Sequence, residues 1–171
     1  MVEYIAIHEG HLGGDNTNIL PVRLCDGPAV YEEKQEDTIS VCCFYLEGYL
    51  QELLIAYYDA DIQPEAYRTG YGYDEYGWTF YTPQQMEALL TDLAAYIAPK
   101  DKGDPIIDFY RRFIIRMRRM LENRGGYDLI LFCGPGSIAA KKAALRLLFC
   151  ACQKTAPPFF DNGIAVYYAR E

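Results

Sequence analysis

Histidine is scarce in this chain of 171 residues, which has two, His8 and His11, both near its start. That scarcity confines imidazole acid–base and metal chemistry to one short segment. His8-Glu9-Gly10-His11 offers two ring nitrogens and a carboxylate, but it lacks the H-E-x-x-H spacing and lies in a glycine-rich stretch. No metal site is expected there. The chain has no C-x-x-C pair, no Walker loop, no G-x-S-x-G elbow and no carboxylate pair at a useful spacing. These absences remove the sequence signatures of zinc knuckles, P-loop enzymes and serine hydrolases.

Long apolar runs are missing too. The nearly uncharged apolar stretch between Arg146 and Gln153 is far short of the ~20 residues that cross a bilayer. Met1-Val2-Glu3-Tyr4 lacks the basic-then-apolar pattern of a secretory leader. A cytoplasmic protein without a membrane span is therefore expected. The six cysteines fit that expectation: Cys42 and Cys43 are adjacent, Cys150 and Cys152 fall on one expected helix, and Cys25 and Cys133 stand alone. None of these placements suits a disulfide staple, so all six are read as free thiols.

Basic residues are nearly absent from the amino-terminal half. Residues 1–85 hold 15 acidic and three basic side chains, a balance of −12, whereas residues 86–171 hold nine and 13, a balance of +4. The total is −8. An acidic surface repels phosphates, so no nucleic-acid partner is expected, and the asymmetry points to a basic protein partner or to pairing between the two halves.

The apolar fraction, 51%, and the charged fraction, 23%, are those of a globular chain. The pattern predicts one α+β domain over residues 1–171, with a mixed, mostly antiparallel β-sheet packed with about three α-helices. Strands are expected over 2–7, 19–24 and 77–81. Tyr127–Cys133 reads as a central strand because it is apolar without interruption after Asp128. The acidic run from Glu32 to Asp37 reads as a solvated connection. Residues 38–46 and 49–58 read as the two arms of a hairpin turning at Glu47-Gly48; the competing reading is a helix, because Leu50, Leu53, Leu54 and Tyr57 recur at helical spacing.

Helix signals are clearest at Thr82-Pro83-Gln84-Gln85, a capping box with proline at the first helical position, with Tyr81 poised to staple onto Met86. A second helix is expected from Asp104-Pro105 to about Asn123. It carries Ile106, Phe109, Tyr110, Phe113, Ile114, Met117, Met120 and Leu121 on one side and Arg111, Arg112, Arg116, Arg118 and Arg119 on the other. The arginine side reads as a solvated or internally paired face. A third helix is expected over 137–153 and a last strand over 164–169.

Two segments are candidates for function. Residues 57–81 interleave aromatic side chains with glycines and carboxylates, and the binding residues expected there are Tyr71, Tyr73, Asp74, Glu75, Tyr76 and Trp78. Tyrosine and tryptophan provide rigid amphipathic contact area, and carboxylates select a cationic partner. The competing reading is that these aromatics cover the protein's own sheet. The second segment is Cys133-Gly134-Pro135-Gly136-Ser137, a strand-to-helix turn where Gly134, Gly136 and Ser137 form an alternative anion site. As an enzyme, the chain would use Cys133 with His8 as base at this turn. The leading expectation is a small binding protein of inhibitor or immunity type, without catalytic residues or cofactor and with its oligomeric state open.

Overall fold

The computed structural model describes residues 3–5, 16–24, 31–34, 37–65, 72–101 and 103–135, all within one compact unit, Met1–Ile138. The order of elements is β1 (Glu3–Ile5), β2 (Asn16–Leu24), β3 (Tyr31–Glu33), β4 (Ile39–Cys42), a 3₁₀ turn (Cys43–Leu46), α1 (Tyr49–Ala56), β5 (Trp78–Tyr81), α2 (Pro83–Ile97), α3 (Pro105–Asn123) and β6 (Leu129–Cys133). The strands form one mixed sheet in the order β1-β4-β2-β6-β5, with β3 added to β2. Among the described strands, only β1 and β4 run parallel; the other pairs are antiparallel. The predicted α+β class and mostly antiparallel sheet are what the described residues form.

All five residues of β6 are buried, and the strand lies between β2 and β5, as its uninterrupted apolar run predicts. Its side chains divide between two cores. Ile130 and Phe132 join Ile19, Val41 and Tyr81 with the buried residues of α1, α2 and α3. Leu129, Leu131 and Cys133 point the other way, with Leu20, Val22 and Phe80 and the partly buried Trp78. Among the described residues, the three helices thus pack on one face of the sheet. Pro21 is tolerated within β2 because it falls between two ladders: pairing with β4 ends at Ile19 and pairing with β3 begins at Val22.

The helix signals hold in detail. The Thr82 hydroxyl accepts from the Gln85 amide at 3.2 Å, and the Gln85 side chain accepts from the Thr82 amide at 2.8 Å, closing the capping box at the start of α2. Asp104 caps α3 by accepting from the Ile106 amide at 2.9 Å. The α3 face from Phe109 to Leu121 is buried as predicted, joined by Ile107, while Ile106 is partly buried beside it.

The hairpin expected over 38–58 does not form. β4 ends at Cys42, the 3₁₀ turn follows, and Tyr49–Ala56 is helical, with Leu50, Leu53 and Leu54 buried against the core. Gly48 does turn the chain, at φ +77°, but it joins one helical segment to the next and returns no strand. The helical spacing of the leucines wins because it buries all three on one side. Two further expectations are corrected. β2 begins at Asn16 because Asn16, Thr17 and Asn18 pair with Cys42, Val41 and Ser40, and Tyr31–Glu33 pairs with β2 instead of remaining a connection. The helix expected over 137–153, the strand over 164–169, and Cys25, Cys150 and Cys152 lie outside the described residues.

Among the described strands, β5 lies at the end of the order, and one side chain engages its outward backbone at Phe80. Gln63 is buried at 3% exposure. Its carboxamide accepts from the Phe80 amide at 2.9 Å and donates to the Phe80 carbonyl at 2.8 Å and to the Asp59 carbonyl at 2.9 Å. The side chain therefore makes with Phe80 the two bonds that a neighbouring strand would make.

Gln63→Ala should lower stability by at least ~2 kcal/mol, because it leaves a buried N–H and a buried C=O without partners at ~1–3 kcal/mol each. Urea melts measure it; a midpoint within error of the parent would show that the clamp contributes nothing.

Candidate functional site

The segment that carries the candidate binding residues is a short turn held against the rest of the fold. The Asp74 carboxylate accepts from the Tyr76 amide at 3.0 Å, and the Asp74 carbonyl accepts from the Gly77 amide at 3.4 Å, so the chain reverses just before β5. Tyr73 anchors one side: it is half-buried against the main core. Its hydroxyl is held protonated well above the usual tyrosine range, first by burial and then by the charges of Glu75 and Asp74. Glu75 anchors the other side by accepting from the Gln51 side chain of α1 at 2.9 Å.

A third anchor comes from β6. The Gly134 amide donates to the Gly77 carbonyl at 2.8 Å. A Cβ at position 134 would stand 2.2 Å from the Glu75 carbonyl oxygen and 2.7 Å from the Tyr76 Cα. Only glycine lets the turn lie this close to the end of β6. The two segments singled out in the sequence are therefore in contact, with Gly134 forming the seat of the 74–77 turn.

What the turn presents outward is Tyr76, 58% exposed. Its hydroxyl is pushed up in pKa chiefly by Glu75, through charge and as a hydrogen-bond acceptor, with smaller effects from Cys43 and Glu47. Those last two residues bring in the 3₁₀ turn, where Phe44 is 65% exposed and meets the buried Tyr45 edge-on at 5.8 Å. Tyr45 in turn packs on Phe109 of α3 at 5.3 Å. On α1, Glu52 is exposed, and Ile55, one turn beyond Gln51, is 56% exposed. Exposed Tyr76 and Phe44 thus stand with Glu75 and Glu47, and Ile55 and Glu52 are exposed on α1, whose Gln51 reaches Glu75.

The expected site residues divide accordingly. Tyr73, Asp74, Glu75 and Tyr76 come together at the turn. Trp78 does not share their outlook, because strand alternation directs it to the second face of the sheet, where it is partly buried beside Phe80 and Cys133. Tyr71 lies outside the described residues. Sequence reasoning missed Phe44, Glu47 and Ile55. A helical reading of 47–58, which its leucine spacing supported, places Ile55 opposite the buried leucines; nothing local marked Phe44.

Of the alternative anion site, Gly134 is occupied with the 74–77 turn, and Gly136 and Ser137 lie outside the described residues, as do His8 and His11. Cys133 is buried at the end of β6, and Cys42, Cys43 and Cys133 are free thiols. Among the described residues no group of three His, Cys, Asp or Glu side chains is placed to hold a metal ion. No described helix is long and apolar enough to cross a membrane. A hollow of about 430 Å³ opens between the start of α2 and the end of α3, beside Glu87 and Arg118. Those two side chains pair at 3.2 Å, and none of the expected site residues borders the hollow.

Gly134→Ala should destabilise the protein by ~1–3 kcal/mol, since the added methyl meets backbone that must move. It should also shift the emission of Trp78, the single tryptophan, on the strand that the turn feeds. An unchanged melt with an unchanged spectrum would mean that the turn does not rest on Gly134.

The buried tyrosines imply an alkaline limit. Tyr81 donates to the Leu54 carbonyl at 2.8 Å, and burial holds it, like Tyr73, protonated far above the usual tyrosine range. Their folded pKa values exceed the unfolded ones, so the folded state keeps protons that the unfolded state releases. The stability they contribute is whole below pH ~10 and declines as pH rises past it. Denaturant midpoints taken on either side of that pH should fall on the alkaline side for the parent and fall less for Tyr73→Phe.

Comparison with known proteins adds no relative: no family model, curated protein or solved structure matches this chain.

Proposed function

We propose that this protein is a binding module of a reducing compartment that covers a basic protein surface with its acidic, aromatic patch. The observation that carries the reading is the exposure of Tyr76 beside Glu75 on a turn anchored by Tyr73, Gln51 and Gly134, with Phe44 exposed on the 3₁₀ turn that leads to Glu47. Large aromatics exposed on a backbone held in place lose little entropy on binding, which is what an interface anchor requires. Carboxylates around them disfavour acidic partners and attract basic ones. The −12 balance of residues 1–85 extends that attraction beyond the contact itself, over the ~8 Å at which charge is felt in physiological salt.

The structure-based choice of anchor is Tyr76 over Trp78, because Trp78 packs within the protein's own second core. Proteins retained by the immobilised chain at low salt and released at high salt supply the partner, and binding kinetics with that purified protein supply the test. Tyr76→Ala should weaken affinity by ~2 kcal/mol, mainly through faster dissociation. Glu47→Lys should chiefly slow association, and the slowing should vanish at high salt. Equal kinetics for both variants and the parent would displace the interface from this surface.

A further inference from the structure

The outer face of α3 has a composition opposite to that of the acidic patch. Ile115 is 63% exposed, and its neighbours three and four positions away along the helix are Arg111, Arg112, Arg118 and Arg119, all arginine. Internal pairing accounts for part of this charge: Arg112 meets Asp108 at 3.1 Å and Arg118 meets Glu87 at 3.2 Å. Among the described residues, Arg111 and Arg119 carry no ion pair. An exposed branched apolar side chain ringed by guanidinium groups has the make-up of an interface centre, since arginine is enriched at such centres and a solvated face needs no isoleucine.

The complementary surface is on the same chain. The acidic patch exposes Phe44, Ile55 and Tyr76 among Glu47, Glu52 and Glu75, apolar where α3 is apolar and acidic where α3 is basic. The two faces are carried by different elements of the helical layer: the 3₁₀ turn and Glu47 of the acidic patch rest on Phe109 and Tyr110 near the start of α3, and Arg118 of α3 reaches Glu87 of α2. We propose that the basic surface covered by the acidic patch is the arginine face of α3 on a second copy of this chain. The inference rests on the proposed reading of the acidic patch as a binding surface and names its partner. The contact joins two unlike faces, so it is heterologous and leaves one of each face open at the ends of a pair. With a net charge of −8 on each copy, long-range repulsion opposes the contact and short-range pairing favours it, so the association is weak and sensitive to concentration and salt.

Sedimentation of the full chain over a range of concentrations tests this. At low ionic strength the mean mass should rise with concentration, and it should return to the monomer mass at high ionic strength. Arg111→Glu combined with Arg119→Glu, and separately Glu47→Lys combined with Glu52→Lys, should each weaken self-association at least about tenfold. An equimolar mixture of the two variants should regain self-association, because the intact face of each meets the intact face of the other and the two reversed faces are again opposite in charge. Thermal melts matching the parent establish that both variants fold, and Arg119→Glu alone is the milder check. A parent that stays monomeric at low salt while still binding a foreign basic protein through Tyr76 overturns the self-docking inference and leaves the acidic patch intact. Self-association that persists in the Glu47→Lys/Glu52→Lys variant overturns the self-docking inference, whereas unchanged binding of a foreign basic protein by that variant overturns the reading of the acidic patch.

Discussion

The fold depends on one constraint, the burial of both faces of β6. A strand with no polar side chain from Leu129 to Cys133 has no solvent face to offer, so it requires a neighbour on either side and cover above and below. β2 and β5 satisfy the first requirement, and the helical layer satisfies half of the second. The position of the candidate surface follows from the same placement. β6 ends at Cys133, and the next residue, Gly134, is the seat on which the 74–77 turn lies.

Rigidity beneath and charge around make the patch distinctive. Tyr76 is exposed, yet the backbone on both sides of it is tied to three separate elements: the core through Tyr73, α1 through Glu75 and Gln51, and β6 through Gly134. Phe44 is similarly exposed next to a buried neighbour, Tyr45, that packs on α3. Each exposed aromatic is therefore adjacent in sequence, or nearly so, to one that belongs to the core. Within the described part of the tyrosine-rich segment, Tyr73 is half-buried against the core and Tyr76 is exposed.

Features written in local chemistry were legible in the sequence. The capping box at Thr82, the proline starts of α2 and α3, the two faces of α3 and the central place of β6 each depend on side chains a few positions apart. Those that depend on distant partners were not. The Glu47-Gly48 turn signal was real, but the backbone at Gly48 joins two helical segments, and what decides between helix and hairpin is the core that awaits Leu50, Leu53 and Leu54. Asn16–Asn18 extends β2 only because β4 is there to pair with it. In the candidate site, Asp74 to Tyr76 were singled out from their own composition, whereas the exposed Phe44 and Ile55 lie 19 to 32 positions away in the chain. Trp78 faces the second core because strand alternation, not its proximity in sequence to the turn, sets its side.

The clamp made by Gln63 has a consequence for how this protein meets others. A terminal strand with unpaired backbone groups is a template on which a foreign strand, or another copy of the same one, can add, and that route leads to runaway polymerisation as readily as to recognition. With the outward N–H and C=O of Phe80 already engaged by a carboxamide, an incoming backbone finds no vacancy at that position. Recognition is left to side chains, where sequence can discriminate between partners, and the sheet is spared the indiscriminate growth that its apolar β5 would otherwise invite.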